Sequence, residues 1–298
     1  MPMTILSPLG FDHRIHLIQQ RVNMAKRKKK SPSMAELADR HHLYELSVQC
    51  AEAEIDFVDD MYKKIHGRRA KRLREDFCGT ANVCCEWVRR RKSNHAVGVD
   101  LDKEVLDWGR DHQLKRLKSS QRKRIELIEE NVLSVETEPM QIISAMNFSY
   151  WLFKERSDLK NYFQRVHSQL AEDGILFMDA YGGYDSYKEI EEEREIEDGD
   201  TTFTYTWEQE KYDPISGNLI CHIHFEFEDG SRMKRAFSYD WRLWSLPEIN
   251  ELLKEVGFSK VTFYWQGFDE NDEPDGVFLP VNKGEADAGW ICYITAEK

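Results

Sequence analysis

Leu73-Arg74-Glu75-Asp76-Phe77-Cys78-Gly79-Thr80-Ala81-Asn82 is followed, after a mixed run to Arg91, by Ala96-Val97-Gly98-Val99-Asp100-Leu101-Asp102. The spacing predicts a short strand ending near Phe77, a turn over 78–82 and a helix over 83–90. A second strand, 96–99, then ends on an acid. This is a βαβ unit with a carboxylate about 20 residues beyond a glycine turn, the layout of a site for a nucleotide-shaped ligand. Free N–H groups at the helix N-terminus favour an anionic group in front of the turn. Asp100, at the second strand end, offers a carboxylate that accepts from both hydroxyls of a ribose.

The neighbouring residues narrow the ligand. A pyrophosphate needs several glycines so that the backbone can come close, and here only Gly79 is present, between Phe77 and Ala81. Glu75 and Asp76 would also repel a phosphate. S-adenosylmethionine carries no phosphate, and its ammonium and sulfonium are both cationic. The stretch resembles the first two motifs of the class I S-adenosylmethionine-dependent methyltransferases. Anchored on Cys78-Gly79-Thr80, Glu75 falls on the family's first-motif acid and Asp100 on its ribose-binding acid. Phe77 and Ala81 stand where the family has glycines. The resemblance implies that Glu75 to Ala81 cradle the cofactor, with Asp100 and Leu101 on its ribose.

Outward from this unit, a helix is expected over 103–117 and a third strand over 124–128. In the family a residue after that strand contacts adenine, which points to Asn131, with the Val132 N–H as a donor to a ring nitrogen. A buried fourth strand begins at Gln141 and runs through Met146 and Asn147 into a polar loop. In the family this strand end faces the methyl group. Asn147-Phe148-Ser149-Tyr150 lacks the two prolines of the tetrad that many base-amino methyltransferases carry there, which argues against a nucleobase acceptor. A helix over 157–170 and a strand over 175–178 follow. Asp179-Ala180-Tyr181-Gly182-Gly183 then places an acid, an aromatic and two glycines at the ligand edge.

Before the first strand, Ser33 reads as an N-cap with Glu36 three residues on, and apolar spacing predicts a helix over 51–65. Residues 43–49 join these two helical segments. By analogy with the family, helices here fold over cofactor and substrate, making Tyr44 and Gln49 lid candidates. After the fifth strand, the acidic stretch 189–200 reads as a solvated helix or loop. From Thr202 to Tyr239 the period changes to two with hairpin signals at Asp213-Pro214, Ser216-Gly217-Asn218 and Asp229-Gly230, so a small antiparallel sheet is inserted. His222 and His224 share one strand face and read as surface residues, with no metal site expected. Ser245 caps a helix ending at Gly257. Two last strands, 258–265 and 289–295, form an antiparallel edge pair joined by a polar loop over 269–284.

Composition sets limits. The 298-residue chain carries a formal charge of -12, which makes nucleic acid an improbable partner. Its six cysteines include no CxxC, consistent with reduced thiols and a cytoplasmic location. No apolar run reaches the ~20 residues of a membrane span. The run Lys26-Arg27-Lys28-Lys29-Lys30 reads as part of a solvated tail, with nucleic-acid binding or an address signal as the alternative.

The expectation is therefore an α/β protein with a Rossmann-like methyltransferase sheet, mostly parallel with an antiparallel last strand, plus a small antiparallel β insertion. A basic flexible tail spans 1–32 and a helical lid 33–70. The cofactor domain spans 71–181 and 245–298, and an acidic and β substrate subdomain spans 182–244. The resemblance implies methyl transfer from S-adenosylmethionine to a small-molecule acceptor, at nitrogen or oxygen, with Tyr44, Tyr150, Asp179 and Tyr181 at the reacting centre. Asp179 and Glu45 are the candidate bases. Rival readings are a non-catalytic cofactor-binding or scaffold protein, an RNA or protein methyltransferase, and aminopropyl transfer on the same fold.

Overall fold

The computed structural model describes residues 31–268, 270 and 274–298; the basic run at 26–30 lies outside the described residues. Three helices come first: α1 (Met34–Leu37), α2 (Arg40–Val48) and α3 (Ala51–His66). The βαβ unit is β1 (Arg72–Asp76), α4 (Asn82–Arg90) and β2 (His95–Asp100). Next come α5 (Lys103–His112), α6 (Ser119–Arg122), β3 (Ile125–Glu129), β4 (Met140–Ala145), α7 (Arg156–Gln169) and β5 (Leu170–Gly182). The insertion is β6 (Ile190–Asp198), β7 (Thr201–Tyr212), β8 (Asn218–Phe227) and β9 (Arg232–Arg242). The chain closes with α8 (Leu246–Val256), β10 (Lys260–Phe268), β11 (Pro274–Val281) and β12 (Trp290–Glu297).

Eight strands form one sheet in the order β11-β10-β12-β5-β4-β1-β2-β3. The five from β5 to β3 run parallel, and β12 lies antiparallel between β5 and β10. The order reverses at β1, with β2 on one side and β4 on the other, and a ligand crevice forms outside the carboxyl ends of strands at such a point. The insertion is a separate four-stranded antiparallel sheet, β6-β7-β8-β9.

Both capping boxes read from the sequence are present. Ser33 and Glu36 bond reciprocally, as do Ser245 and Glu248, and α8 stops at Gly257 in the left-handed region (φ 113°). Three expectations are corrected. Residues 43–49 are not a connector but most of α2, capped by Asp39, whose carboxylate accepts from the N–H groups of His41 and His42. The acidic stretch is a strand, β6. Its backbone is committed to the ladder with β7, while Arg194 lies 4.9 Å from the Tyr205 ring centroid and donates to the Ser47 carbonyl. A helix would have satisfied the local charges but left the β7 edge unpaired. Finally, part of the polar loop is β11, so β10 is interior and β11 is the edge. Phe278 of β11 stacks on Tyr293 at 3.9 Å; charge and glycine around this short apolar run hide its period from a sequence reading.

Three apolar clusters hold these layers. One, on α3, β1 and α4, includes Ile55, Tyr62, Leu73 and Trp87. A second joins α7, α8 and β5 to Leu219, Cys221 and Trp241 of the insertion. The third packs Leu43 of α2 on Phe203, Ile223 and Phe225 of the small sheet. The lid and the insertion thus share a core, and the insertion shares another with the large sheet. Fully buried Trp244 links them, donating from its indole N–H to the Phe153 carbonyl.

α5 presses onto the turn after β1. A Cβ at Gly109 would land on the Thr80 carbonyl, a backbone group that cannot swing away. Gly109→Ala gains about 1 kcal/mol of helix propensity but must displace that backbone, an overpacking cost of about 1–3 kcal/mol. A net loss in urea-unfolding free energy is expected; a more stable variant would show that α5 is not seated against the turn.

Candidate functional site

Left-handed backbone marks the site. Among the described residues, five that are not glycine have positive φ: Phe77 (60°), Ala81 (60°), Asn147 (57°), Phe148 (56°) and Arg235 (49°). Arg235 lies in the irregular β8–β9 pairing. The other four lie just beyond the carboxyl ends of β1 and β4. Gly79, between Phe77 and Ala81, is left-handed too (φ 52°). Phe77 and Ala81 therefore adopt the conformation that glycines would take at those positions. Each such residue costs of order 1–3 kcal/mol and persists only when its surroundings hold it.

Two aspartates do the holding. Asp100 Oδ2 accepts the Gly79 N–H at 2.8 Å, and its Oδ1 accepts the Asp102 N–H at 2.9 Å. Asp179, from β5, accepts the N–H groups of Asn147 at 2.8 Å and Phe148 at 2.9 Å. Each such hydrogen bond contributes about 0.5–3 kcal/mol, the larger figure for an ionised acceptor, and so offsets part of the strain of its turn. Every Asp100 oxygen still has an acceptor site to spare for a ligand hydroxyl.

The electrostatics are lopsided. Glu75 is 8% exposed, Asp179 6% and Glu54, from α3, 7%. Burial pushes the Glu75 carboxyl up to about 8, although the Cys84 N–H donates to it. Burial likewise pushes Asp179 up to about 7, against its two backbone bonds. Glu54 is driven well above the usual carboxylate range by burial, then by the charges of Glu75 and Asp179. The charges that act most strongly on Glu54 and Glu75 are those of other acids. Asp76 differs: buried Arg74 sits 2.8 Å away and the Tyr162 hydroxyl donates to it, so it is a structural acid.

The other predicted residues fall into groups. Cys78 is buried, with its thiol raised by burial, and its N–H donates to the Val99 carbonyl. Thr80 donates from its hydroxyl to Glu45 Oε1 at 2.5 Å, and Gln113 donates to Oε2 at 2.5 Å. Glu45 is thereby a clamp between lid and turn rather than a free base. Gln49 accepts from the Asn82 side chain at 3.4 Å. Leu101 is exposed at the end of β2, Met146 is buried after β4, and Val132 is buried in the core. The Asn131 side chain accepts the Leu133 N–H and so also forms its own turn.

Tyr150 is corrected. It is fully buried, and its hydroxyl donates to the Asp179 carbonyl at 2.8 Å, so it braces Asp179 from the core instead of facing a ligand. Tyr181 meets Phe148 edge-on at 4.8 Å and Trp151 at 4.9 Å. Tyr44 lies 4.9 Å from Phe237 of the insertion. Trp207, Tyr239 and Trp241 continue this aromatic wall, with Tyr239 and Trp241 stacked at 4.3 Å. The histidine pair is corrected in part: His222 is buried, bonded to Ser238 and Glu210, and His224 is bonded to Glu208. No group of three or more His, Cys, Asp or Glu side chains that could hold a metal occurs among the described residues.

Glu54 is the site residue that sequence reading missed. A signal existed: Ala51, Ile55, Val58 and Tyr62 form the buried stripe of α3, and Glu54 falls on it, where an acid has no business unless it has a partner.

This fold has known counterparts. A crystal structure of an S-adenosylmethionine-dependent methyltransferase from Clostridium acetobutylicum is 18% identical, with a TM-score of 0.61, covering 86% of this chain and 96% of that one. The chain has the class I methyltransferase fold. An S-adenosylmethionine-bound amino pentose methyltransferase from Micromonospora echinaspora is similarly related to this methyltransferase-fold chain (TM-score 0.62, 10% identity, 87% and 96% covered). By sequence, a curated protein of Geobacillus sp. (strain WCH70), named "Putative methyltransferase", is 26% identical over 232 residues, 76% of this chain and 90% of that protein. No protein-family model matches.

The raised acids make stability depend on pH. Glu75 and Asp179 bind protons more tightly folded than unfolded, so their contribution is complete below about pH 4 and lost as pH rises through about 7 to 8. Without ligand, unfolding free energy should fall across this window, by at most about 1.4 kcal/mol per pH unit for each group. Glu75→Gln, which keeps an acceptor for the Cys84 N–H, should flatten the slope in urea titrations; an unaltered slope would show that Glu75 is ionised throughout.

Proposed function

We propose that the protein is an S-adenosylmethionine-dependent methyltransferase acting on a small-molecule acceptor at nitrogen or oxygen. The observation that carries this reading is the trio of buried acids, Glu54, Glu75 and Asp179, with no ion-pair partner among the described residues, beside a turn pinned by Asp100. Buried negative charge of this kind calls for a cation. With no metal-binding group among the described residues, an organic cation carrying a ribose suits the donor set best. The Glu54 Oε2 oxygen, buried and without a hydrogen-bond partner among the described residues, is the point of the site still to be satisfied.

In this reading Glu75, Asp100 and the 77–81 turn hold the cofactor, with Leu101, Asn131, Val132, Met146 and Asn147 around its base and ribose. S-adenosylmethionine supplies an electrophilic methyl group when bound. The chain's own task is then to orient the acceptor and exclude water. Tyr44 from the 33–70 lid and Tyr181, Trp207, Tyr239 and Trp241 wall the acceptor side, where aromatic faces favour a cationic amine. The large sheet, 71–181 and 245–298, serves the cofactor, and the 182–244 insertion serves the acceptor. Asp179, pushed up to about 7, is suited to receive a proton near neutral pH. The amino pentose specificity of one fold neighbour agrees with a small, amine-bearing acceptor, and the charge of -12 disfavours nucleic acid.

Asp100→Ala should weaken S-adenosylmethionine binding by about 1.5–3 kcal/mol in calorimetry, the scale of hydrogen bonds to a charged acceptor. Incubating the protein and cofactor with a metabolite extract should yield a species heavier by one methylene unit in mass spectrometry. If the wild-type protein binds no S-adenosylmethionine, the reading falls; binding without any methylated product would favour a non-catalytic cofactor-binding role.

A further inference from the structure

Glu54 is not carried by the parallel sheet. It projects from α3, the helix next to the lid, yet it lies within the field of Glu75 at the end of β1 and Asp179 on β5, and it faces the Asn147 side-chain amide after β4. Its charge in turn raises the hydroxyls of two tyrosines on further elements, Tyr44 of α2 and Tyr293 of β12. Both are neutral at working pH, with hydroxyls raised by burial. Among these groups there are three acids and no base. Glu54 is therefore buried within the field of the groups at and just beyond the ends of β1, β4 and β5.

We propose that Glu54 reads the charge of the bound cofactor and makes the site favour S-adenosylmethionine over S-adenosylhomocysteine. This rests on the cofactor reading above and adds a discriminating role to a residue outside the family's sheet motifs. The two ligands share adenine, ribose and the amino acid end and differ in one methyl and one positive charge. Contacts to the shared parts bind both equally and cannot discriminate. A buried carboxylate with an unsatisfied oxygen is stabilised by the sulfonium form and gains less from the neutral thioether. Methyl transfer removes that charge, so the same acid that holds the substrate form loosens the product form. Ionising Glu54 for the sulfonium requires loss of a proton, and Glu75 and Asp179 oppose that ionisation until the cation arrives.

Calorimetry with the full chain and the two pure ligands tests this. The ratio of S-adenosylmethionine to S-adenosylhomocysteine affinity should rise as pH is raised, because Glu54 then ionises more readily. Titrations near pH 7 in buffers of different ionisation enthalpy should release more protons with S-adenosylmethionine. Glu54→Gln, nearly isosteric, should lower the affinity ratio by about tenfold, the size of one pKa unit of differential interaction, and erase the difference in proton release. Glu54→Asp should restore part of both. An unchanged ratio and proton count in Glu54→Gln overturns the role of Glu54 while leaving the cofactor reading intact. Failure of the wild-type chain to bind either ligand overturns both. Should Glu54→Gln fail to fold, a wild-type ratio that is flat with pH overturns the proposal by itself.

Discussion

Two carboxylates accepting backbone N–H groups hold the working edge of this sheet in place. Asp100 holds the turn after β1 and Asp179 the turn after β4, and these turns contain four of the five described non-glycine residues that adopt left-handed backbone. The constraint is reciprocal. Each carboxyl group is fixed by the N–H groups it accepts, and each turn keeps its strained form because a carboxyl acceptor waits for those N–H groups. Phe77 and Ala81 can thus replace the more permissive glycine without changing the path of the chain. Tyr150, bonded to the Asp179 carbonyl, anchors the second clamp in the core.

The lid is tied to the same edge by polar bonds and to the insertion by apolar packing. Glu45 meets Thr80, Gln49 meets Asn82 and the Trp108 indole donates to Asp39, while Leu43 packs on the small sheet. A movement of α2 that broke its contacts with the turn would also disturb the contact between Tyr44 and Phe237 of the insertion. The turn after β1 and the small sheet are consequently coupled through one short helix. Glu54, Glu75 and Asp179 are buried, and desolvating them is tolerable because they can stay protonated.

Local chemistry that has a period or a cap was readable in advance. The βαβ unit, the N-caps at Ser33 and Ser245, the stop at Gly257 and the two-residue period of β7 to β9 all follow from interactions between residues close in the chain. The parallel order of the central strands also follows, because strand–helix alternation leaves few other arrangements. Where expectation failed, a distant partner decided. β6 is acidic enough for a solvated helix, yet the open edge of β7 recruits it. β11 exists because Phe278 stacks on Tyr293, and Tyr150 turns inward because the Asp179 carbonyl accepts its hydroxyl.

The sequence by itself determined that Asp100 ends a strand one turn and one helix after Gly79, and that Glu75 precedes that turn, since strand and helix lengths fix where each side chain emerges. It could not determine what Glu54 faces. That acid is separated from Glu75 by a helix end and a strand, and from Asp179 by half of the sheet. Only the tertiary packing of α3 buries Glu54 within the field of Glu75 and Asp179, and that burial raises all three carboxyls above their usual range.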